Sequence, residues 1–372
     1  MRQSHALTLC VLAALAAIAW AGNTHYYKPD LHHRANRGPR RVQTLPKTLA
    51  KRVSNGFGLL DDSQVKYHNG IAMGWLPDFT VSGAVNSINN ALDRPMSIIG
   101  DYVQIYALED EVPTPLIQID YHLGNVSTGN TNTQPVYMIS LMPQAGLEAV
   151  TPAVIDTVVN KISALNTLGV TVWLRYAFEM NLGPEFHAWS GTPDAFKQSW
   201  NAMYTAIKEG TTDTYMLWSP NVDVNSEPNY MDYFPGEEFV DLYGISLYSF
   251  AANSRDRNDA LIGTEFIETF TPFYNLFGEH PIVISETSKP YNYELNGYPS
   301  EPQPGTAVRN EAGTKVDWLT QLTSVVTKSA FPNIIAVNWF EFLKNEEGMT
   351  VDFRSLTGSS RVRNAVAAYL SS

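Results

Sequence analysis

Val170-Thr171-Val172-Trp173-Leu174-Arg175-Tyr176-Ala177-Phe178-Glu179-Met180-Asn181 opens as an apolar, β-branched run and then delivers a carboxylate. Pro281-Ile282-Val283-Ile284-Ser285-Glu286-Thr287 repeats the pattern. Runs of this kind read as strands buried on both faces, the signature of a parallel sheet. A charged group at the tip of such a strand has no packing use. It has a chemical use where the loops after strand C-termini build a site, as they do in a (β/α)8 barrel.

Strand-like and helix-like segments alternate outward from these two runs. Ile71 to Leu76, Met96 to Ile105, Val136 to Leu141, Tyr215 to Trp218, Val240 to Tyr248 and Ile334 to Phe340 read as strands. Between them, helical spacing runs over Val81 to Leu92, Thr264 to Leu276, Val316 to Thr327 and Arg361 to Leu370. Thr151 caps a helix that carries Val154, Val158, Ile162 and Leu165 and stops at Gly169. Thr192-Pro193-Asp194 starts another, with Phe196, Trp200, Met203, Tyr204 and Ile207, ended by Gly210. Lys289 to Thr306 reads as a polar loop. About eight β-then-α units imply parallel strands under helical cover. A doubly wound open sheet would show a Gly-rich turn after its first strand; Gly74-Trp75-Leu76-Pro77 is not one. The expected fold is an α/β (β/α)8 barrel, one domain over residues 53–372. Counted from Ile71, the strand that ends at Glu179 is the fourth and the strand that ends at Glu286 the seventh.

The N-terminus is a separate object. Arg2 and His5 precede an apolar run from Ala6 to Ala19, and Ala19-Trp20-Ala21 offers small residues for cleavage. Residues 1–21 read as a secretory signal peptide, which makes a secreted, extracellular protein the expectation. Residues 22–52 form a basic, aperiodic segment ending in Lys51-Arg52, a linker or a removable pro-segment. Residues 1–52 hold nine of the 25 Lys and Arg and one of the 37 acids, so the other 320 residues carry −20 within a total of −12. An acidic body excludes nucleic acid and anionic membrane as natural partners and suits an uncharged one. The only cysteine, Cys10, falls in the signal peptide, so a large core must replace disulfides. Asn125-Val126-Ser127 is a glycosylation acceptor on a polar stretch.

Two carboxylates across a cleft can break a glycosidic bond. One protonates the leaving oxygen; the other attacks the anomeric carbon or activates water. Their separation decides between retention and inversion. Aromatic residues make 12% of the chain, and flat rings stack on the C–H faces of sugars. Trp339, at the end of the eighth strand, is placed for such a platform. Tyr248, closing the sixth, is placed to hydrogen-bond a neighbouring carboxylate. Phe186, His187 and Trp189 follow Glu179 and are candidates for further subsites. Arg175 shares a strand face with Glu179, so it either pairs with that carboxylate, orients it or binds a sugar hydroxyl. Trp173, Trp200 and Trp218 read as packing.

The run Arg175 to Asn181 with Trp189 downstream, then Phe234-Pro235-Gly236-Glu237-Glu238-Phe239-Val240-Asp241-Leu242-Tyr243-Gly244, then Ile284-Ser285-Glu286, resembles glycoside hydrolase family 26 from about Asn69 onward. That family holds β-mannanases with some β-1,3-xylanases and mixed-linkage β-glucanases. The resemblance implies a retaining (β/α)8 glycosidase with Glu179 as acid/base and Glu286 as nucleophile. It also implies that Trp339 floors the subsite next to the bond and that Tyr248 contacts the nucleophile. The family usually has His directly before the acid/base, where it commonly touches substrate; Phe178 stands here. Asn181 and Gly183 nearly keep the following Asn-Gly, with Leu182 inserted. The chain thus resembles a divergent member with an altered glycan choice. Phe178, Asn181, Arg175, Trp189, Tyr248 and Trp339 are the expected substrate-binding residues, and a polysaccharide or oligosaccharide is the expected partner.

No His-Glu-x-x-His, Gly-x-Ser-x-Gly or Walker-type loop occurs, so zinc protease, serine hydrolase and NTPase chemistry lack their residues. His68, His122, His187 and His280 lack metal spacing. Asn221-Val222-Asp223-Val224-Asn225 alternates oxygen ligands but lacks the Gly and Glu of a calcium loop. No metal or cofactor is expected. A carbohydrate-binding barrel without catalysis is the alternative reading.

Overall fold

The apolar runs become strands with their residues buried on both faces: β1 (Ile71–Pro77), β2 (Ile98–Ile105), β3 (Val136–Pro143), β4 (Val172–Tyr176), β5 (Thr214–Trp218), β6 (Leu242–Ser246), β7 (Ile282–Thr287) and β8 (Ile334–Glu341). The computed structural model describes residues 56–105, 134–223, 229–249, 263–294, 310–346 and 349–372. The expected signal peptide, the basic segment, the Asn125 acceptor, most of the 289–306 loop and the end of the Asn221 to Asn225 run lie outside the described residues.

Each strand pairs in parallel with the next, and β8 returns to β1 with Trp339 beside Trp75, which closes an eight-stranded barrel. The closure between β1 and β2 is tight. A Cβ on Gly74 would run into the Asn338 amide and meet Ile98 Cβ at 2.8 Å, so only glycine lets these staves approach. A two-residue strand, Tyr67–His68, adds to β1 in the antiparallel sense.

Among the described residues the α-helices are α1 (Ala84–Ala91), α2 (Pro152–Thr167), α3 (Pro193–Gly210), α4 (Glu265–Phe277), α5 (Glu311–Thr323), α6 (Val325–Ala330) and α7 (Ser360–Leu370). The expected caps are present: Thr151 and Thr192 each accept from the backbone N–H three residues on. The faces read at helical spacing are the buried ones, with Val154, Val158, Ile162 and Leu165 on α2 and Phe196, Trp200, Met203 and Ile207 on α3. A side chain of this size contributes about 2 kcal/mol when fully buried, so these faces fix the helices against the sheet.

Two expectations need correction. The single helix over Val316 to Thr327 is two. Ser324 takes an extended conformation, ends α5 and caps α6 by accepting from Thr327 N–H at 3.2 Å. The stretch after β7 is not all loop. Tyr291–Glu294 pairs antiparallel with Met349–Asp352, which pairs with Leu343–Glu346, giving a three-stranded sheet formed by the segments that follow β7 and β8. Tyr291-Asn292-Tyr293-Glu294 alternates ring and polar group, a period-2 signal hidden by its polarity.

Glu341, the last residue of β8, organises the turn beyond that sheet. Its buried carboxylate accepts from Ser355 N–H and Oγ at 2.8 Å each, Leu356 N–H at 2.7 Å and Thr357 N–H at 2.6 Å. Ser355 Oγ in turn accepts from Trp75 Nε1 at 3.0 Å. Exchanging the carboxylate for a methyl group orphans three backbone donors, each costing 1 kcal/mol or more. Glu341→Ala is therefore expected to lose about 3 kcal/mol of stability, read by urea denaturation; an unchanged midpoint contradicts this role.

Candidate active site

Arg175, the fourth residue of β4, reaches the barrel axis fully buried. Its Nη1 donates to Glu286 Oε2 at 2.6 Å and to Ser140 Oγ at 3.2 Å. Its Nε donates to Ser219 Oγ at 3.0 Å, and its Nη2 donates to Ser246 Oγ. The same Nη2 lies 3.6 Å from Glu179 Oε1. One planar fork thus spans both carboxylates. The expected Arg175–Glu179 pair is present, but the short contact is to Glu286, 111 residues away. The ring of Phe178 covers one face of the cation, with Cζ 3.9 Å from the ring centroid.

Backbone irregularities aim the two glutamates. β4 ends at Tyr176, and the chain then turns through left-handed conformations at Ala177 (φ 44°) and Glu179 (φ 55°). Such values cost a non-glycine residue roughly 1 kcal/mol or more and gather at functional sites. Glu179 N–H is pinned to Ser219 O just past β5 at 2.8 Å. On the other side, β7 carries an extra residue against both neighbours: Ile245 and Ser246 face Ile284 and Glu286, while Val337 and Trp339 face Ile284 and Thr287. This bulge re-aims Glu286.

The carboxylates are partnered unequally. Glu286 has both oxygens engaged, Oε2 by Arg175 and Oε1 by the Tyr248 hydroxyl at 2.6 Å. Tyr102 of β2 stands close by; burial and then the charge of Glu286 push its phenol well above the ordinary range. Tyr248 is raised for the same two reasons. Glu179 has one oxygen, Oε2, 3.2 Å from His187 Nε2, while Oε1 makes no hydrogen bond among the described residues. Burial alone would raise the Glu179 pKa, but His187 and Arg175 outweigh it and hold the carboxyl below its ordinary value. The Arg175 guanidinium keeps its proton more firmly than usual, because Glu286 and Glu179 outweigh its burial.

The remaining expected residues divide. Tyr248 meets Glu286, and Phe178 backs the arginine. Trp189 stacks on His187 at 4.3 Å and donates its indole N–H to Phe178 O at 2.7 Å, so it supports the Glu179 side from behind, fully buried. Asn181 sits further out. Its amide donates to Asn221 O at 3.0 Å and accepts from Asn221 N–H at 2.8 Å, which ties the loop after β4 to the loop after β5. Trp339 is fully buried, its indole N–H donating to Phe353 O at 2.7 Å, and presents no exposed ring face in this structure. Sequence reasoning passed over Tyr102 and the serines Ser140, Ser219, Ser246 and Ser285. Ser219 and Ser285 share a 2.6 Å hydrogen bond. A polar residue in or just past an apolar strand, the signal that found the glutamates, would have found them too. Among the described residues no group of three or more His, Cys, Asp and Glu is arranged to hold a metal.

The sequence model described as "Glycosyl hydrolase family 26" matches residues 37–313. No curated protein matches the chain by sequence. Solved structures share the fold at low identity. A GH26 protein from a Muricauda species superposes with a TM-score of 0.56 at 14% identity, covering 82% of this chain and 86% of that one. A modular endo-β-1,4-mannanase from Cellulomonas fimi gives 0.54 at 13%, covering 82% and 71%. A β-mannanase from Bacteroides ovatus gives 0.51 at 13%, covering 82% and 88%.

Arg175→Met leaves two buried carboxylates without their cation, a loss of about 3–5 kcal/mol near neutral pH. The pH dependence changes with it. In the native protein Glu179 titrates below its ordinary value, so its contribution holds above the carboxylate range and fades as the pH falls through it. Without the cation, the burial that raises the Glu179 carboxyl loses one of its counterweights, so the variant loses stability relative to the native protein as the pH rises. The gap between native and variant melting temperatures is expected to widen from acid to neutral pH; a constant gap contradicts the pairing.

Proposed function

Because the chain belongs to glycosyl hydrolase family 26, we propose that it is a secreted, retaining glycoside hydrolase that cleaves a β-linked polysaccharide by double displacement. Glu286 is the nucleophile and Glu179 the acid/base. The carrying observation is the unequal partnering of two glutamates around one guanidinium. Glu286 has both oxygens hydrogen-bonded by Arg175 and Tyr248, donors that fix its orientation and leave it no place to act as the acid. Glu179, whose Oε1 makes no hydrogen bond among the described residues, has an oxygen on which to carry a proton.

In the first step a Glu286 oxygen bonds to the anomeric carbon as the bond to the leaving oxygen breaks. The electron pair stays on that oxygen, which takes the proton of Glu179. In the second step the Glu179 carboxylate removes a proton from water as the water oxygen displaces Glu286, and the starting configuration returns. Arg175 stabilises the negative charge on Glu286 before attack and on its departure after the second step. Structural neighbours that act on β-mannan make mannan the first substrate to test. Phe178, in place of a histidine that commonly meets substrate in the family, favours a shifted preference among β-glycans.

The purified protein is to be screened on β-mannan, β-1,3-xylan, mixed-linkage β-glucan and β-1,3-glucan. Glu286→Ala and Glu179→Ala are each expected to remove nearly all activity with the fold kept, a loss of a hundredfold or more for the acid/base alone. Near-native rates in either variant reject the assignment. Glycan retained on a column without product points to the binding-only barrel.

A further inference from the structure

We propose that His187 is the positioning residue of the Glu179 carboxyl and decides which of its two oxygens carries the transferred proton. The inference rests on the hydrolase reading above and deepens it. Phe178 leaves the place before the glutamate without a polar group. The polar contact comes instead from eight residues on, where His187 Nε2 lies 3.2 Å from Glu179 Oε2.

Three observations carry this. First, the imidazole is held rigidly. It lies flat on Trp189, 10° from parallel with centroids 4.3 Å apart, and Trp189 is anchored by its indole N–H to Phe178 O. The turn beneath is closed by His187 N–H to Gly183 O at 3.2 Å and Ser190 N–H to His187 O at 2.9 Å. Second, the ring is not there for packing alone. It is 3% exposed, and its Nδ1 has no hydrogen-bond partner among the described residues. An apolar ring would fill the space without burying an unpaired nitrogen. Third, the contact breaks the symmetry of the carboxyl. In the tautomer we assign, with the proton on Nε2, the imidazole donates to Oε2 and that oxygen is an acceptor, so the proton of the acid form belongs on Oε1. Oε1 is the oxygen beside Arg175 Nη2, the arginine that also holds Glu286.

The groups that face Glu179 are Arg175 from β4, Tyr102 from β2, Ser246 and Tyr248 from the end of β6 and the segment after it, and His187 itself, with Glu286 of β7 across the guanidinium. Among these His187 first, then Arg175 and the Ser246 hydroxyl, favour the ionised carboxyl. Removing the His187 donor therefore moves the Glu179 titration to higher pH.

The test compares native protein, His187→Ala and His187→Gln on the soluble β-glycan that the native protein cleaves, as kcat and KM against pH. His187→Ala is expected to lose about tenfold in kcat, part of what general acid–base catalysis supplies, with KM nearly unchanged. Its alkaline limb is expected to move to higher pH. His187→Gln, which keeps an N–H donor, is expected to recover most of the rate. Aryl glycosides with a dinitrophenolate leaving group need no proton, so their glycosylation step is expected to be spared. An unmoved alkaline limb, or equal loss with both leaving groups, overturns the proposal. If His187→Ala fails to fold, ring 15N shifts answer in the native protein: they follow the Glu179 titration there and lose that step in Glu179→Gln, and identical curves overturn the proposal. If Glu286→Ala is as active as native, the hydrolase reading itself has failed; an inactive Glu286→Ala with an unmoved limb in His187→Ala removes only the present inference.

Discussion

A fully buried guanidinium on the axis of a barrel cannot stand without partners, and satisfying Arg175 sets the layout of this site. A charge taken out of water costs several kcal/mol unless hydrogen bonds and counter-charge replace the solvent. The replacements come from around the barrel: Ser140 of β3, Ser219 after β5, Ser246 of β6, Glu286 of β7 and Glu179 after β4. The arginine therefore binds five consecutive staves at the level where their chain ends open into loops. It also forces the two glutamates to share one cation, which brings them over the same small volume.

Sharing does not make them equivalent. The guanidinium meets Glu286 at hydrogen-bond distance and Glu179 only at 3.6 Å. Tyr248 completes the shell of Glu286, while His187 takes a single oxygen of Glu179. The difference comes from local backbone. A bulge in β7 turns Glu286 toward the arginine, and two left-handed residues after β4 lift Glu179 away from the regular pleat. Those irregularities persist because the surrounding sheet is long, parallel and packed, so its stability absorbs them.

The barrel was legible because its signals are local. Apolar β-branched runs, Thr caps three residues before a backbone donor, and glycines at helix ends are each read within a few residues. The counting of Glu179 to the fourth stave and Glu286 to the seventh followed from that alone. What escaped was long-range or disguised. The Arg175–Glu286 contact joins residues far apart in sequence, and the pleat rule that paired Arg175 with Glu179 stops applying at Ala177, where the strand ends. Tyr102 and the serines look like ordinary strand residues until the barrel closes. The sheet built on Tyr291–Glu294 uses a polar sequence that imitates a loop, and the break at Ser324 depends on one hydroxyl. The depth of Trp339, expected at a sugar face and found enclosed, reflects the segment at Phe353, whose fold no local pattern announces.

The central claim is that the arginine-held Glu286 is the atom source for a covalent bond to sugar. The direct measurement treats the protein with activated 2-deoxy-2-fluoro β-glycosides, including the mannoside and the glucoside, and reads intact mass followed by peptide mapping. The account predicts one added glycosyl group, located on the peptide that contains Glu286. A label on Glu179, or turnover with inversion of configuration and no label, would contradict it.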